Sequence, residues 1–139
     1  MVKLFGIKNC STVKKALNWL DENLIEYSFV DVKKNISKED LSYWFNNLPE
    51  GLIPLSFVNQ KGLTWRKLSP DLKEYIKSKD GIINLILQYP SVMKRPVLTK
   101  DNNVKILGYD ESFFLSKTLS RSNRPPFFFA HHSDDLSIK

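Results

Sequence analysis

Thiol chemistry in this 139-residue chain rests on a single cysteine. Cys10 lies in Phe5-Gly6-Ile7-Lys8-Asn9-Cys10-Ser11-Thr12-Val13-Lys14-Lys15-Ala16-Leu17, which reads as the end of a strand, a tight turn and the start of a helix. At a helix start, unpaired backbone N–H groups and the positive end of the helix dipole favour an anion. A thiolate is an anion, so this position lowers the cysteine pKa and makes the sulfur nucleophilic. Lys8, Lys14 and Lys15 add positive charge within a turn on either side. A lone cysteine is ordinarily a small buried hydrophobe, but Lys8, Asn9, Ser11 and Thr12 are polar neighbours. The expectation is a reactive thiol beside an oxyanion-binding loop, with Ser11 and Thr12 acting as caps, anion contacts or both. Val13 stands where a Cys-x-x-Cys pair has its second cysteine, so a resolving thiol must come from outside the chain.

The flanking elements must hold that loop in place. Val2-Lys3-Leu4-Phe5 suits a first strand ending at Gly6. Val13, Ala16, Leu17 and Leu20 recur at helical spacing and predict a helix from about Thr12 to Asn23, with Lys14, Lys15, Asn18 and Asp21 on the other face. Tyr27-Ser28-Phe29-Val30-Asp31-Val32, aromatic and β-branched, reads as a second strand. Together these make a βαβ unit with parallel pairing and a right-handed crossover. Ser37 caps a third stretch with Asp40 at its third position, and Ser69-Pro70-Asp71 opens another helix. A short helix is expected near Pro54–Val58, and Asp80 is read as the cap of an apolar helix that stops before Pro90. Pro96–Thr99 and Val104–Leu107, joined by Lys100–Asn103, predict a hairpin, and Asp110 a last helix carrying Phe113 and Phe114. The order βαβ, helices, ββα is that of a thioredoxin-like sheet interrupted by a helical segment.

The cysteine segment Gly6–Ala16 resembles the signature of the arsenate reductase/Spx superfamily, most closely its YffB-like branch. Gly62-Leu63-Thr64-Trp65-Arg66-Lys67-Leu68, Pro90-Ser91-Val92-Met93-Lys94-Arg95-Pro96-Val97-Leu98 and Gly108-Tyr109 resemble later segments of that branch, in order and with compatible spacing. The resemblance implies an α/β fold with a mixed four-stranded thioredoxin-like sheet. It spans residues 1–118 with a helical insert at about 36–89, followed by a flexible tail at 119–139. By the same resemblance Cys10 is the nucleophile, Arg66 and Arg95 are aimed at an oxyanion, and Pro96 is the proline held in cis opposite the cysteine. With Lys8, Asn9, Ser11, Thr12 and Lys14 these make the expected anion site. The implied activity is glutathione-dependent reduction of a thiol or oxyanion substrate, with glutathione or a glutaredoxin-like protein as reductant. The other branch implies an alternative: an Spx-like regulator without enzymatic activity that binds the RNA polymerase α subunit. The chain lacks both the two-cysteine switch of Spx proteins and the further arginine that arsenate reductases carry after their last strands, where it has Val104-Lys105-Ile106-Leu107-Gly108-Tyr109.

Composition narrows the partners. Twenty-one basic residues against 15 acidic ones give a net charge of +6, but the lysines are spread along the chain in runs of two at most. That fits a solvated lysine-rich surface rather than a nucleic-acid footprint, and a basic mouth for a small anionic substrate is compatible with either. No apolar run approaches the length of a membrane span, no signal peptide is recognisable, and a single cysteine excludes an internal disulfide, so a cytoplasmic protein is expected. His131-His132 with Asp134 and Asp135 are residue types that bind metals, but adjacent histidines point in different directions in regular structure, and no metal is expected.

Overall fold

A computed structural model of the chain describes residues 1–76 and 78–109. The first strand, β1 (Val2–Gly6), is central because it pairs on both sides. It lies parallel to β2 (Ser28–Asp31) and antiparallel to β3 (Val97–Lys100), which in turn pairs antiparallel with β4 (Asn103–Leu107), giving the order β2-β1-β3-β4. The expected mixed four-stranded sheet is therefore realised among the described residues.

Strand alternation divides the apolar residues between two layers. Val2 and Leu4 of β1, with Leu98 and Ile106, face helix α1 (Ser11–Glu22), where Val13, Ala16, Trp19 and Leu20 are buried. The helix thus buries Trp19 as well as the expected stripe, and Leu17 is only half-buried. A helix stripe is wider than the i, i+3, i+4 minimum, and the large indole takes the flank. The helix ends at Asn23 in a Schellman turn: Leu24 has φ 55°, its N–H donates to the Asp21 carbonyl, and that of Ile25 to the Leu20 carbonyl.

The opposite sheet face, with Phe5, Val97 and Val104, is covered by the helices between β2 and β3. These are α2 (Val32–Asn35), α3 (Lys38–Asn46), a 3₁₀ turn at Pro54–Phe57, α4 (Leu63–Arg66), α5 (Pro70–Tyr75), α6 (Lys79–Gln88) and a second 3₁₀ turn at Pro90–Val92. Side-chain oxygens start four of them: Asp31 accepts from the Lys33 N–H, Ser37 from Asp40, Ser69 from Leu72 and Ser78 from Gly81. The cap of α6 is thus Ser78 and not Asp80, which lies in the first turn where its charge meets the helix dipole. Phe5 packs edge-on against Trp44 at 4.7 Å, and Trp44 and Phe45 pack on Phe57, so insert and sheet share one core.

The hairpin is tighter than expected. Lys100 and Asn103 are paired, leaving a two-residue turn in which Asp101 and Asn102 have φ 53° and 73°. Positive φ at both central positions suits Asp and Asn and matches the twist of the flanking strands. The expected helix after Asp110, the tail and the His131-His132 pair lie outside the described residues.

Candidate active site

Cys10 is the N-cap of α1, in extended conformation, with its carbonyl accepting from Lys14 and its N–H donating to Ile7. Gly6 permits this turn: a Cβ there would lie 2.7 Å from a methyl of buried Val13. The thiol is partly buried and reaches the Thr12 hydroxyl at 3.1 Å. That hydroxyl in turn lies 3.5 Å from the Arg95 carbonyl, so the helix start is tied to the segment entering β3.

Arg95 is held in place from behind. Its Nη1 donates to the carbonyls of Ser91 and Met93, each at 2.9 Å, while its buried Nε has no hydrogen-bond partner. The Arg95–Pro96 peptide bond is cis. Main-chain bonds fasten this segment to the insert: Asn59 donates to the Val92 carbonyl and Lys94 to the Phe57 carbonyl, both at 2.8 Å.

The electrostatics follow from this geometry. Burial by itself pushes the Cys10 thiol up, because the charged form loses water. The Thr12 hydroxyl, the Val13 N–H, and the hydrogen bond and charge of Arg95 outweigh it and bring the thiol down to about 7. No full cap bond to the sulfur forms at rest; the Val13 N–H acts by favouring the thiolate. The thiolate is thereby favoured relative to an ordinary cysteine, in a group that also has solvent access.

The remaining candidates sit as follows. Lys8, Asn9, Ser11 and Lys14 are exposed around the cysteine turn. Arg66 is exposed at the end of α4, and among the described residues its side chain makes no hydrogen bond or ion pair, including none with Asp71. Helix α4 is tied to the Arg95 segment by Thr64, whose hydroxyl meets that of Ser91 at 3.0 Å. Thr64 and Ser91 lie within two of the segments that resemble the family, and nothing in the sequence gives either of them a role. Their only signal was position: a hydroxyl two residues before one arginine and another four before the second. Among the described residues no group of His, Cys, Asp and Glu side chains gathers as a metal site, and no helix is long and apolar enough to cross a membrane.

Comparison with known proteins matches this arrangement to a family. The ArsC family model fits residues 5–115. An uncharacterized protein of Haemophilus influenzae is 31% identical over 114 residues, 80% of this chain and 93% of that one. The global transcriptional regulator Spx 2 of Bacillus anthracis is 26% identical over 125 residues, 89% of this chain and 91% of its own. Among solved structures, a YffB protein superposes with a TM-score of 0.73 at 34% identity, covering 84% of this chain and 98% of its own. A possible arsenate reductase from Streptococcus mutans gives 0.68 at 28% identity, covering 78% and 91%. The shared architecture is an α/β fold of thioredoxin type with a mixed four-stranded sheet.

Proposed function

The chain belongs to the ArsC family, and from that membership we propose that it is a thiol-dependent reductase in which Cys10 is the nucleophile and glutathione the reductant. The observation that carries the reading is a cysteine at a helix N-terminus with its pKa brought down to about 7 by Thr12, Val13 and Arg95 against the opposing effect of burial.

With a mixed disulfide of glutathione as substrate, the Cys10 thiolate attacks the glutathione sulfur. A bond forms between the two sulfurs, the original S–S bond breaks, and the released thiolate takes a proton. A second glutathione, as thiolate, then attacks its counterpart held on Cys10. Glutathione disulfide leaves and Cys10 is again a thiolate. The net change is one glutathione consumed, the substrate thiol released and glutathione disulfide formed, and no second cysteine is needed. The free N–H groups at the start of α1 and the two arginines, Arg66 and Arg95, hold the anionic part of the substrate, whether oxyanion or glutathione carboxylate. Lys8, Asn9, Ser11 and Lys14 form the polar rim of that site. The protein acts in the cytoplasm, where glutathione is abundant.

Turnover of glutathione with arsenate, mixed disulfides and small disulfides tests this. Reduction of at least one substrate, abolished in Cys10→Ser, is the expected result. No turnover of any of them by the wild-type protein rejects the reading. A binding role is the second reading, supported by 26% identity to an Spx regulator over 89% of the chain. Capture of the RNA polymerase α subunit by both wild type and Cys10→Ser, without thiol turnover, is the outcome that selects it.

A further inference from the structure

The contacts that hold Arg95 lead away from the thiol into the insert. Ser91 holds two things at once. Its main-chain carbonyl accepts from Arg95 Nη1 at 2.9 Å, and its side-chain hydroxyl meets Thr64 at 3.0 Å. Thr64 is the second residue of α4, and Arg66 ends that helix. A four-residue helix cannot fix itself, since a single turn orders several residues for very few hydrogen bonds. Tertiary contacts place it, among them Trp65, packed against the main core with the Lys73 ammonium 5.5 Å over its ring, and the Thr64 hydroxyl.

The other side of the pair is fixed independently. The Pro90–Val92 turn is closed by the Met93 N–H on the Pro90 carbonyl at 3.1 Å, and anchored by the Asn59 N–H on the Val92 carbonyl at 2.8 Å. Removing the Ser91 hydroxyl leaves that turn and both carbonyl contacts of Arg95 in place. What it removes is the hydroxyl restraint on α4, and with it one of the contacts that fix the direction of Arg66.

The geometry points to Thr64 and Ser91 as a positioning pair that sets Arg66 relative to Arg95 and so determines the affinity of the site for the anionic group of its substrate. This rests on the reading of the two arginines as anion clamps. Neither hydroxyl touches the reacting sulfur. The pair acts by confining the terminal turn of α4, so that the Arg66 guanidinium meets an oxyanion or carboxylate already held by Arg95. A charged hydrogen bond misplaced by a loosened helix loses most of its value.

Inorganic sulfate is the probe, read by how far it slows alkylation of Cys10 by the uncharged reagent iodoacetamide; this reports anion affinity without turnover. Thr64→Val and Ser91→Ala should each weaken sulfate protection about tenfold, with the double variant no worse than either alone. The pH midpoint of alkylation should stay near 7, because Arg95 keeps its carbonyl contacts. Arg66→Ala should weaken protection to a similar degree, and adding Thr64→Val to it should change nothing more. Thr64→Ser, which keeps the hydroxyl, should restore wild-type protection and guards against a merely misfolded variant. Protection unchanged in the single variants, an additive loss on top of Arg66→Ala, or failure of Thr64→Ser to restore it each overturns the pair. Absence of protection in the wild type overturns the anion site itself, and the two failures are told apart by that one measurement.

Discussion

At the scale of single residues the chemistry turns on opposing effects at one sulfur. Burial alone pushes the Cys10 thiol up, and Thr12, Val13 and Arg95 together bring it down to about 7. Alkylation rate against pH should therefore have its midpoint near 7. Arg95→Ala removes both a hydrogen bond and a positive charge, and should move the midpoint up toward the free thiol value of about 8.5. Thr12→Val should also raise it through loss of the hydroxyl contact at 3.1 Å. A midpoint unchanged in both variants contradicts this account. The same shift couples to folding. The folded pKa lies below the unfolded one, so the thiolate stabilises the fold fully above about 8.5, and this contribution is lost as pH falls through about 7. Denaturation midpoints of wild type should rise with pH across that window more than those of Cys10→Ser.

At the scale of elements, what was legible in the sequence was whatever a periodic or punctuating residue announces. The βαβ unit, the Ser37 and Ser69 caps, the 3₁₀ turn at Pro54–Phe57 and the hairpin all follow from spacing, caps and turn residues. The short helices α2 and α4 were not legible, since four residues have no apolar period; tertiary contacts decide them. The sequence does not settle the cap of α6, because Ser78 and Asp80 are both capping types two residues apart and only Ser78 reaches the Gly81 N–H. The sequence also could not say that Arg95 is held by the Ser91 and Met93 carbonyls, because main-chain acceptors leave no residue signature. Gly81 gives an element-scale prediction. Alanine for glycine in a helix ordinarily stabilises by about 0.5–1 kcal/mol. Here the added Cβ would lie 2.7 Å from the Ile76 Cα and 3.0 Å from its carbonyl carbon, backbone atoms that cannot turn aside. Gly81→Ala should therefore destabilise, by about 1–3 kcal/mol as an overpacked site does, in urea denaturation. A stabilised variant shows that α6 packs less closely on α5 than it does here.

At the scale of the whole molecule, the sheet is a single layer between two apolar ones, and β1 joins them. Leu4 is fully buried against α1, while its neighbour Phe5 is buried against the insert and meets Trp44 at 4.7 Å. Neither layer has a folded surface to rest on once β1 leaves the sheet. Trp19 reports on the α1 layer and Trp44 on the insert layer. Variants keeping only one of these tryptophans, the others replaced by phenylalanine, should each unfold in one transition with the same midpoint by tryptophan fluorescence and by far-ultraviolet circular dichroism. Phe57, fully buried and packed on Trp44 and Phe45, lies deep in the insert layer. Phe57→Ala should cost about 3–5 kcal/mol and lower the Trp19 midpoint as much as the Trp44 midpoint. If only the Trp44 signal moved, the insert would be a separately folding unit. The Thr64–Ser91 contact and both arginine positions would then depend on docking rather than on the fold as a whole. A shared midpoint instead makes the site as stable as the sheet that carries Cys10, because the segments supplying Thr12, Arg66 and Arg95 come apart only when everything does.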